Sequence, residues 1–286
     1  MSPSNTHFDH AEEVDYQEIS YQIADPAAII TLNRPDRLNA WTHRMGEELR
    51  HALAQAENDS RVVGIIITGA DRAFCAGADK SILDDIKKSG TLKAHDTEMP
   101  GQSDMIKDYR HTYSYIASVR KPVIAAIHGA CIGMAIPVSL FCDLRFASED
   151  AYFITAFAQR GLIAEWGSSW LLSRFIGQGN AMDILLSSRK VTAREALTMG
   201  LVNRVFPSDS LIEEAKHYVA MLAQQCSPSS MAIIKRQVYE DWMRSLDQAN
   251  KTAEEKMLAS FASEDFAEGV SALIEKRSVN FPRIGK

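Results

Sequence analysis

Cysteine is scarce in this 286-residue chain: the four present, Cys75, Cys131, Cys142 and Cys226, form no CxxC pair and no Cys/His spacing suited to zinc. That excludes a disulfide scaffold and predicts no metal site, with free and mostly buried thiols in a reducing compartment. Positive charge is also short, since 31 Lys+Arg against 37 Asp+Glu leave a formal charge of -6. Such a balance offers no footprint for a polyanionic nucleic acid. With 15 Gly and 9 Pro there is too little of either for a collagen-like or low-complexity chain. The opening residues, MSPSNTHFDHAEEVDYQ, hold neither an apolar core nor an arginine-rich amphipathic face. They resemble no secretory or mitochondrial leader, so residues 1–15 are expected to be a disordered tail on a cytoplasmic protein. One charge-free stretch, Pro122 to Cys142, is long enough to cross a bilayer. His128, Gly129, Gly133 and Pro137 punctuate it, which predicts a buried short strand, a turn and a short helix, and no membrane association.

What is present is an ordinary globular composition, 46% apolar and 24% charged, at a length that allows one large domain. The β-rich runs Glu18 to Ile23 and Ala28 to Leu32 flank Asp25 and Pro26 and predict a hairpin. Thr42 to Asn58 carries Met45, Leu49, Leu53 and Ala56 at helical spacing. Val62 to Thr68 and Val123 to Ile127 read as strands, Met105 to Val119 as a helix between them, and polar Lys87 to Ser103 as a surface segment. Strand and helix alternate, which is the pattern of an α/β core over about residues 16–205. Thr192 with Glu195, and Ser210 with Glu213, have the spacing of capping boxes that open helices. From Leu211 amphipathic patterns dominate, including Lys251 to Ala262 and Phe266 to Lys276, so residues 206–286 read as a helical C-terminal region.

Two small-residue turns each follow a predicted strand and precede a helix: Phe74-Cys75-Ala76-Gly77-Ala78-Asp79 and His128-Gly129-Ala130-Cys131-Ile132-Gly133-Met134. A turn of this kind directs unpaired backbone N–H groups outward, where they suit an anion or a carbonyl that becomes an oxyanion. Taken alone, each also fits plain structural punctuation.

These turns, together with Asn33-Arg34-Pro35-Asp36-Arg37-Leu38-Asn39-Ala40, Lys121-Pro122-Val123 through His128-Gly129, Cys142-Asp143, Ala193 to Leu197 and Gly200-Leu201-Val202-Asn203, closely resemble the enoyl-CoA hydratase/isomerase family, the crotonases. The likeness runs from about Tyr16 to Phe281. It implies an α/β fold built as a spiral of ββα turns, with a helical C-terminal oligomerisation region that mediates homotrimers, commonly paired as dimers of trimers. It implies an acyl-CoA substrate and no cofactor beyond the CoA moiety. The family's two oxyanion-binding amides fall on Ala78 and Met134. Glycine is usual at the second position, so the Met134 side chain must point away from the thioester. CoA contacts carry over to Arg37, Leu38 and Ala40, to the Ala76, Gly77, Ala78 and Asp79 turn, and to Lys276. Arg37 and Lys276 also fit simple solvated surface charges.

Hydratases of this family use two glutamates, and the matching positions here hold Pro137 and Phe157, neither of which transfers a proton. Glu165 matches the position where dienoyl-CoA isomerases, ring-opening phenylacetyl-CoA isomerases and 4-chlorobenzoyl-CoA dehalogenases carry an aspartate. Burial beside Phe157 and Trp166 would raise its pKa, while a helix starting near Gly167 would lower it. His111 lies on the segment where the dehalogenases place a catalytic histidine and is a secondary candidate partner of Glu165. His128, at the end of a buried strand, reads as a satisfied core histidine. The expectation is an enoyl-CoA isomerase working through Glu165. The alternatives are a hydratase with a non-standard acid/base set, and a catalytically silent acyl-CoA- or RNA-binding homologue.

Overall fold

The computed structural model describes residues 15–91 and 105–285. The N-terminal tail expectation and most of the Lys87 to Ser103 segment fall outside the described residues, while Lys87 to Ser89 form the last turn of a helix.

The predicted hairpin is present as β1 (Ile19–Ala24) and β2 (Ala27–Leu32), antiparallel with Ala24 opposite Ala27. A 3-10 turn at Pro35–Arg37 follows. Thr42 then opens α1 (His43–Asn58), its side-chain oxygen accepting the Met45 N–H at 3.0 Å. Met45, Leu49, Leu53 and Ala56 are fully buried, as their spacing requires.

Next come β3 (Gly64–Gly69), β4 (Ala73–Cys75) and α2 (Lys80–Ser89), then α3 (Tyr115–Ser118), β5 (Val123–Ile127), β6 (Ala130–Ile132) and α4 (Ala135–Leu140). After these follow β7 (Leu144–Ser148), β8 (Tyr152–Ile154), α5 (Ser168–Phe175), α6 (Gly177–Ser187), β9 (Val191–Thr192), α7 (Ala193–Met199) and β10 (Arg204–Phe206). From β3 to β8 successive strands are dealt alternately to two sheets. One has the order β1-β2-β3-β5-β7-β10, parallel from β2 onward; the other has β4-β6-β8-β9, with β4, β6 and β8 parallel. Each circuit therefore lays one strand in each sheet before crossing back, which is the spiral of ββα turns that the resemblance implies. β3 and β5 are buried along their whole length, the signature of strands covered on both faces. The Pro122 to Cys142 stretch is accordingly β5, a turn, β6 and α4, and no helix among the described residues is long and apolar enough to cross a membrane.

Beyond β10 the chain is helical: α8 (Leu211–Gln225), α9 (Pro228–Asp241), α10 (Leu246–Phe261) and α11 (Glu264–Glu275). α8 lies against the six-stranded sheet with Ala215 and Val219 fully buried. A Cβ at Gly64 would stand 2.9 Å from a Val219 methyl, so the helix can approach β3 this closely only because that position is glycine. The thiols of Cys75, Cys131 and Cys142 are free and buried, and burial pushes Cys75 and Cys142 up to about 12.

Two local expectations are corrected. Met105 to Val119 is not one helix: it is a 3-10 turn at Lys107–Tyr109, a bend, and the four-residue α3. The apolar residues at helical spacing are buried, but Tyr109 donates its hydroxyl to the Tyr239 carbonyl at 3.0 Å and Tyr113 packs between two tryptophans. These tertiary contacts override the periodicity, and Ser114 Oγ takes the His111 N–H at 3.0 Å in competition with helical bonding. Ser210 does not cap α8 either, because its Oγ donates to the Pro207 carbonyl at 3.1 Å while Glu213 pairs with Lys216. Thr192 does cap α7, but the Glu195 carboxylate is taken by Arg189 at 2.6 Å, so only half of that box forms. A reciprocal capping box stands instead at Ser245 and Gln248, opening α10.

Arg145 on β7 is 4% exposed and spends its guanidinium on backbone carbonyls: Leu201 at 2.8 Å, Cys142 at 2.9 Å, Ser139 at 3.3 Å and Leu140 at 3.4 Å. It thereby fastens the end of α4 to the sheet. Replacing it by Met leaves several buried acceptors without donors, and Arg145→Met should cost about 3–5 kcal/mol in urea denaturation, at about 1–3 kcal/mol per stranded group.

Candidate active site

The site is assembled from turns at the ends of strands. Asn33 to Ala40 doubles back with Leu38 and Asn39 in the left-handed region, at φ +51° and +54°. Asparagine tolerates that conformation better than most residues, and its side chain here is fully buried and fully used. Asn39 Nδ2 donates to the Ala70 and Ala73 carbonyls at 2.9 and 2.7 Å, and its Oδ1 accepts the Arg34 N–H at 2.9 Å. The turn is then stitched to the next one: Ala76 N–H to Leu38 O at 3.0 Å, Trp41 N–H to Gly77 O at 2.8 Å, and Asp79 N–H to Trp41 O at 2.8 Å.

Arg34 clamps both turns from outside. Its Nη1 donates to the Ala40 carbonyl at 2.5 Å and to Asp79 Oδ2 at 2.9 Å, and its Nε lies 3.4 Å from Glu18. Asp79 also caps α2, accepting from the Ser81 N–H at 3.0 Å. Bonds from Ser81 and from Arg34 hold its carboxyl below the usual range, so it stays ionised in its clamp.

The second small-residue turn lies directly against the first. Gly133 donates its N–H to Ile154 O at 2.9 Å, and a Cβ placed on Gly77 would stand 3.0 Å from Ile132 O and 3.8 Å from the Met134 nitrogen. Gly77 at φ +96° and Gly133 at φ +53° carry the left-handed turns. Met134 itself has φ −57° and ψ −27°, ordinary right-handed backbone, so a side chain is accommodated without strain and packs on the main core. The amides of Ala78 and Met134 have no backbone acceptor among the described residues. Two free donors on adjoining turns are what a developing oxyanion needs.

Glu165 precedes α5 in the loop after β8. Its carbonyl accepts the Ser168 N–H at 2.9 Å across Trp166 and Gly167, at φ +52° and +75°. The residue is half-buried, and burial pushes its pKa above the ordinary carboxylate value. The opposing helix-start effect does not prevail, because Glu165 lies before the cap position, Gly167, and its side chain bonds none of the first-turn amides of α5. Pro137, in α4, and Phe157 are both buried and apolar.

The structure thus brings together Leu38, Ala40, Ala76, Gly77, Ala78, Asp79 and Met134. Arg37 is exposed at the edge of the first turn. Lys276 ends α11 in an exposed position, with no hydrogen bond or ion pair to these turns among the described residues. His111 is exposed in the bend before α3 rather than on a helix, and no interaction joins it to Glu165 among the described residues. His128 donates its Nε2–H to the Asp71 carbonyl at 3.0 Å, and burial lowers its pKa, which favours the neutral ring. Arg34 and Asn39 carry no role in the sequence reading; their signal is an asparagine at a tight turn beside a cation.

Comparison with known proteins decides what these turns belong to. Residues 23–283 match the family described as enoyl-CoA hydratase/isomerase. The chain belongs to that family. It is 33% identical over 266 residues to a protein of Mycobacterium bovis named probable enoyl-CoA hydratase, spanning 93% of this chain and 98% of that protein. It is 32% identical over 252 residues to the 1,2-epoxyphenylacetyl-CoA isomerase of Escherichia coli, covering 88% of this chain and 93% of that one. Among solved structures, an enoyl-CoA hydratase/isomerase from Mycobacterium paratuberculosis superposes with TM-score 0.81 at 29% identity, over 93% of this chain and 99% of that one. Within the family frame, the two stitched turns are the part that depends most on backbone geometry. Gly77→Ala puts a Cβ against Ile132 O at a φ that L-residues rarely adopt, and should cost about 1–3 kcal/mol in stability and separate the two amides. Thermal unfolding and turnover, measured side by side, check it.

Proposed function

We propose that this enzyme isomerises an enoyl-CoA thioester, with Glu165 as the single proton carrier and the Ala78 and Met134 amides as the oxyanion site. The observation that carries this reading is a half-buried glutamate with a raised pKa, in a site whose two hydratase positions are Pro137 and Phe157. The CoA moiety would lie along the Asn33–Ala40 and Ala76–Asp79 turns, with Arg37 and Lys276 available to its phosphates. No cofactor beyond that moiety is needed.

The Glu165 carboxylate removes a γ proton from the 2-enoyl thioester. The electron pair moves through the double bond onto the carbonyl oxygen, giving a dienolate that accepts hydrogen bonds from both amides. Each such donor is worth about 3–4 kcal/mol in other enzymes. Protonated Glu165 then returns the proton to the α carbon, and the thioester carbonyl re-forms with the double bond shifted. Atoms balance without water. Desolvation assists, because burial raises the carboxyl pKa and so makes the carboxylate a stronger base toward a carbon acid.

Glu165→Gln should lower turnover about 10²–10⁴-fold with little change in CoA affinity. Run in heavy water, the wild type should return part of the original hydrogen to the product, whereas a hydratase would show an added hydroxyl by mass. An unchanged rate in folded Glu165→Gln would remove Glu165 from the mechanism. Because a raised carboxyl pKa means that ionisation opposes folding above it, the wild type loses some stability as pH rises through that pKa, and Glu165→Gln does not. The variant should therefore melt no lower than wild type at pH 7.

Assembly follows from the C-terminal helices. Ile234, Val238, Leu258, Phe261, Leu273 and Ile274 are more than half exposed on α9, α10 and α11, more apolar surface than a monomer of this kind usually shows. We infer a homotrimer or a dimer of trimers closed through this surface. Light scattering at micromolar concentration should give three or six times 31.8 kDa, and a monomer mass would overturn it.

A further inference from the structure

Three aromatic rings link the turn that carries Ala78 to the turn that carries Glu165. Trp41 is paired to Ala78 through its backbone, and its ring meets that of Tyr113 edge-on, 5.7 Å between centroids and 75° between planes. Tyr113 meets Trp166 edge-on at 5.1 Å and 88°. Tyr113 is 8% exposed and within electrostatic reach of both Cys75, in the first turn, and Glu165. It stands between the two halves of the site.

Trp166 is the strained member. At φ +52°, followed by Gly167 at φ +75° and closed by the bond from Ser168 N–H to Glu165 O, it occupies a turn with two successive left-handed residues. That pattern favours glycine, asparagine or aspartate, and a bulky residue there costs about 1–2 kcal/mol. Such a conformation persists only where its surroundings over-determine it, and it clusters at functional sites. The ring partner that Tyr113 supplies, worth about 0.5–1.5 kcal/mol beyond its buried area, is of the same size as the strain.

We propose that Tyr113 is a positioning residue: its ring braces Trp166 in the left-handed conformation and so fixes the Glu165 carboxylate relative to the Ala78 and Met134 amides. This rests on the reading of Glu165 as the proton carrier. Without the ring, the turn relaxes, the carboxylate moves and water reaches it. Among the described residues, burial is what raises the Glu165 carboxyl, and Tyr113 is the titratable group that faces it; Arg160 in the same loop is bound to the Ala156 carbonyl at 3.1 Å, and Phe141 faces Gly167 from the end of α4.

The test uses the full chain and an enoyl-CoA substrate, with kcat and KM followed against pH. Tyr113→Phe keeps the ring and should retain kcat and the position of the acid limb. Tyr113→Leu should lower kcat on the order of 10²-fold, the scale for a displacement near 1 Å. KM should hold, and the acid limb should move down toward the ordinary carboxylate range as Glu165 is rehydrated. In a Trp166→Asn background, where the turn residue tolerates positive φ unaided, Tyr113→Leu should lose most of its effect on kcat. That comparison also serves if Tyr113→Leu folds poorly alone. A folded Tyr113→Leu with wild-type kcat and acid limb would overturn the proposal, as would Tyr113→Phe behaving like Tyr113→Leu. Full turnover in Glu165→Gln would instead defeat the Glu165 reading, whatever Tyr113 does.

Discussion

The contact between two backbones, Gly77 of one turn and Ile132 to Met134 of the next, is the constraint on which the site depends. Two N–H donors can address one oxygen only if their peptide planes come within a few ångströms, and a side chain between them prevents it. The sequence meets this with glycine at 77 and 133, and the rest of the first turn exists to hold Gly77 there. Asn39 fills the left-handed bend and satisfies the strand ends, while Arg34 ties Glu18, Ala40 and Asp79 into one corner. These are partly buried ion pairs and charge-assisted bonds whose value lies in fixing geometry more than in net stability.

Against that rigid half stands a half that works by being unfavourable. Glu165 has burial acting on it and no compensating charge, and Trp166 beside it is held in a conformation that its side chain resists. Both features draw on stability supplied elsewhere, chiefly by fully buried strands and by α1 and α8 on the sheet. Sites of this sort concentrate strain where reactivity is required and leave the scaffold locally consistent.

Local chemistry was legible in the sequence and long-range chemistry was not. The β1–β2 hairpin, α1 and the punctuated Pro122 to Cys142 stretch could be read because proline, glycine and apolar spacing act within a few residues. The motifs carried the resemblance, and with it the spiral. Periodicity misread Met105 to Val119, where each tyrosine answers to a partner far along the chain. The clamp of Arg34 on Asp79 spans 45 residues, and the positive φ of Trp166 has no sequence marker, since tryptophan is an unlikely occupant. For Glu165 the sequence held two opposing influences on its pKa, and only the placement of Gly167 as the cap, with the carboxylate outside it, resolves their sign.

Met134 shows how a side chain can vary without disturbing the amide that carries it. The left-handed burden at that corner falls entirely on Gly133, so the residue supplying the second amide is in plain helical backbone and carries any side chain but proline. The N–H is common to all of them. Size and shape at 134 are thereby decoupled from the hydrogen bond that the proposed reading assigns to its amide: the side chain packs on the main core, and the N–H keeps no backbone acceptor among the described residues.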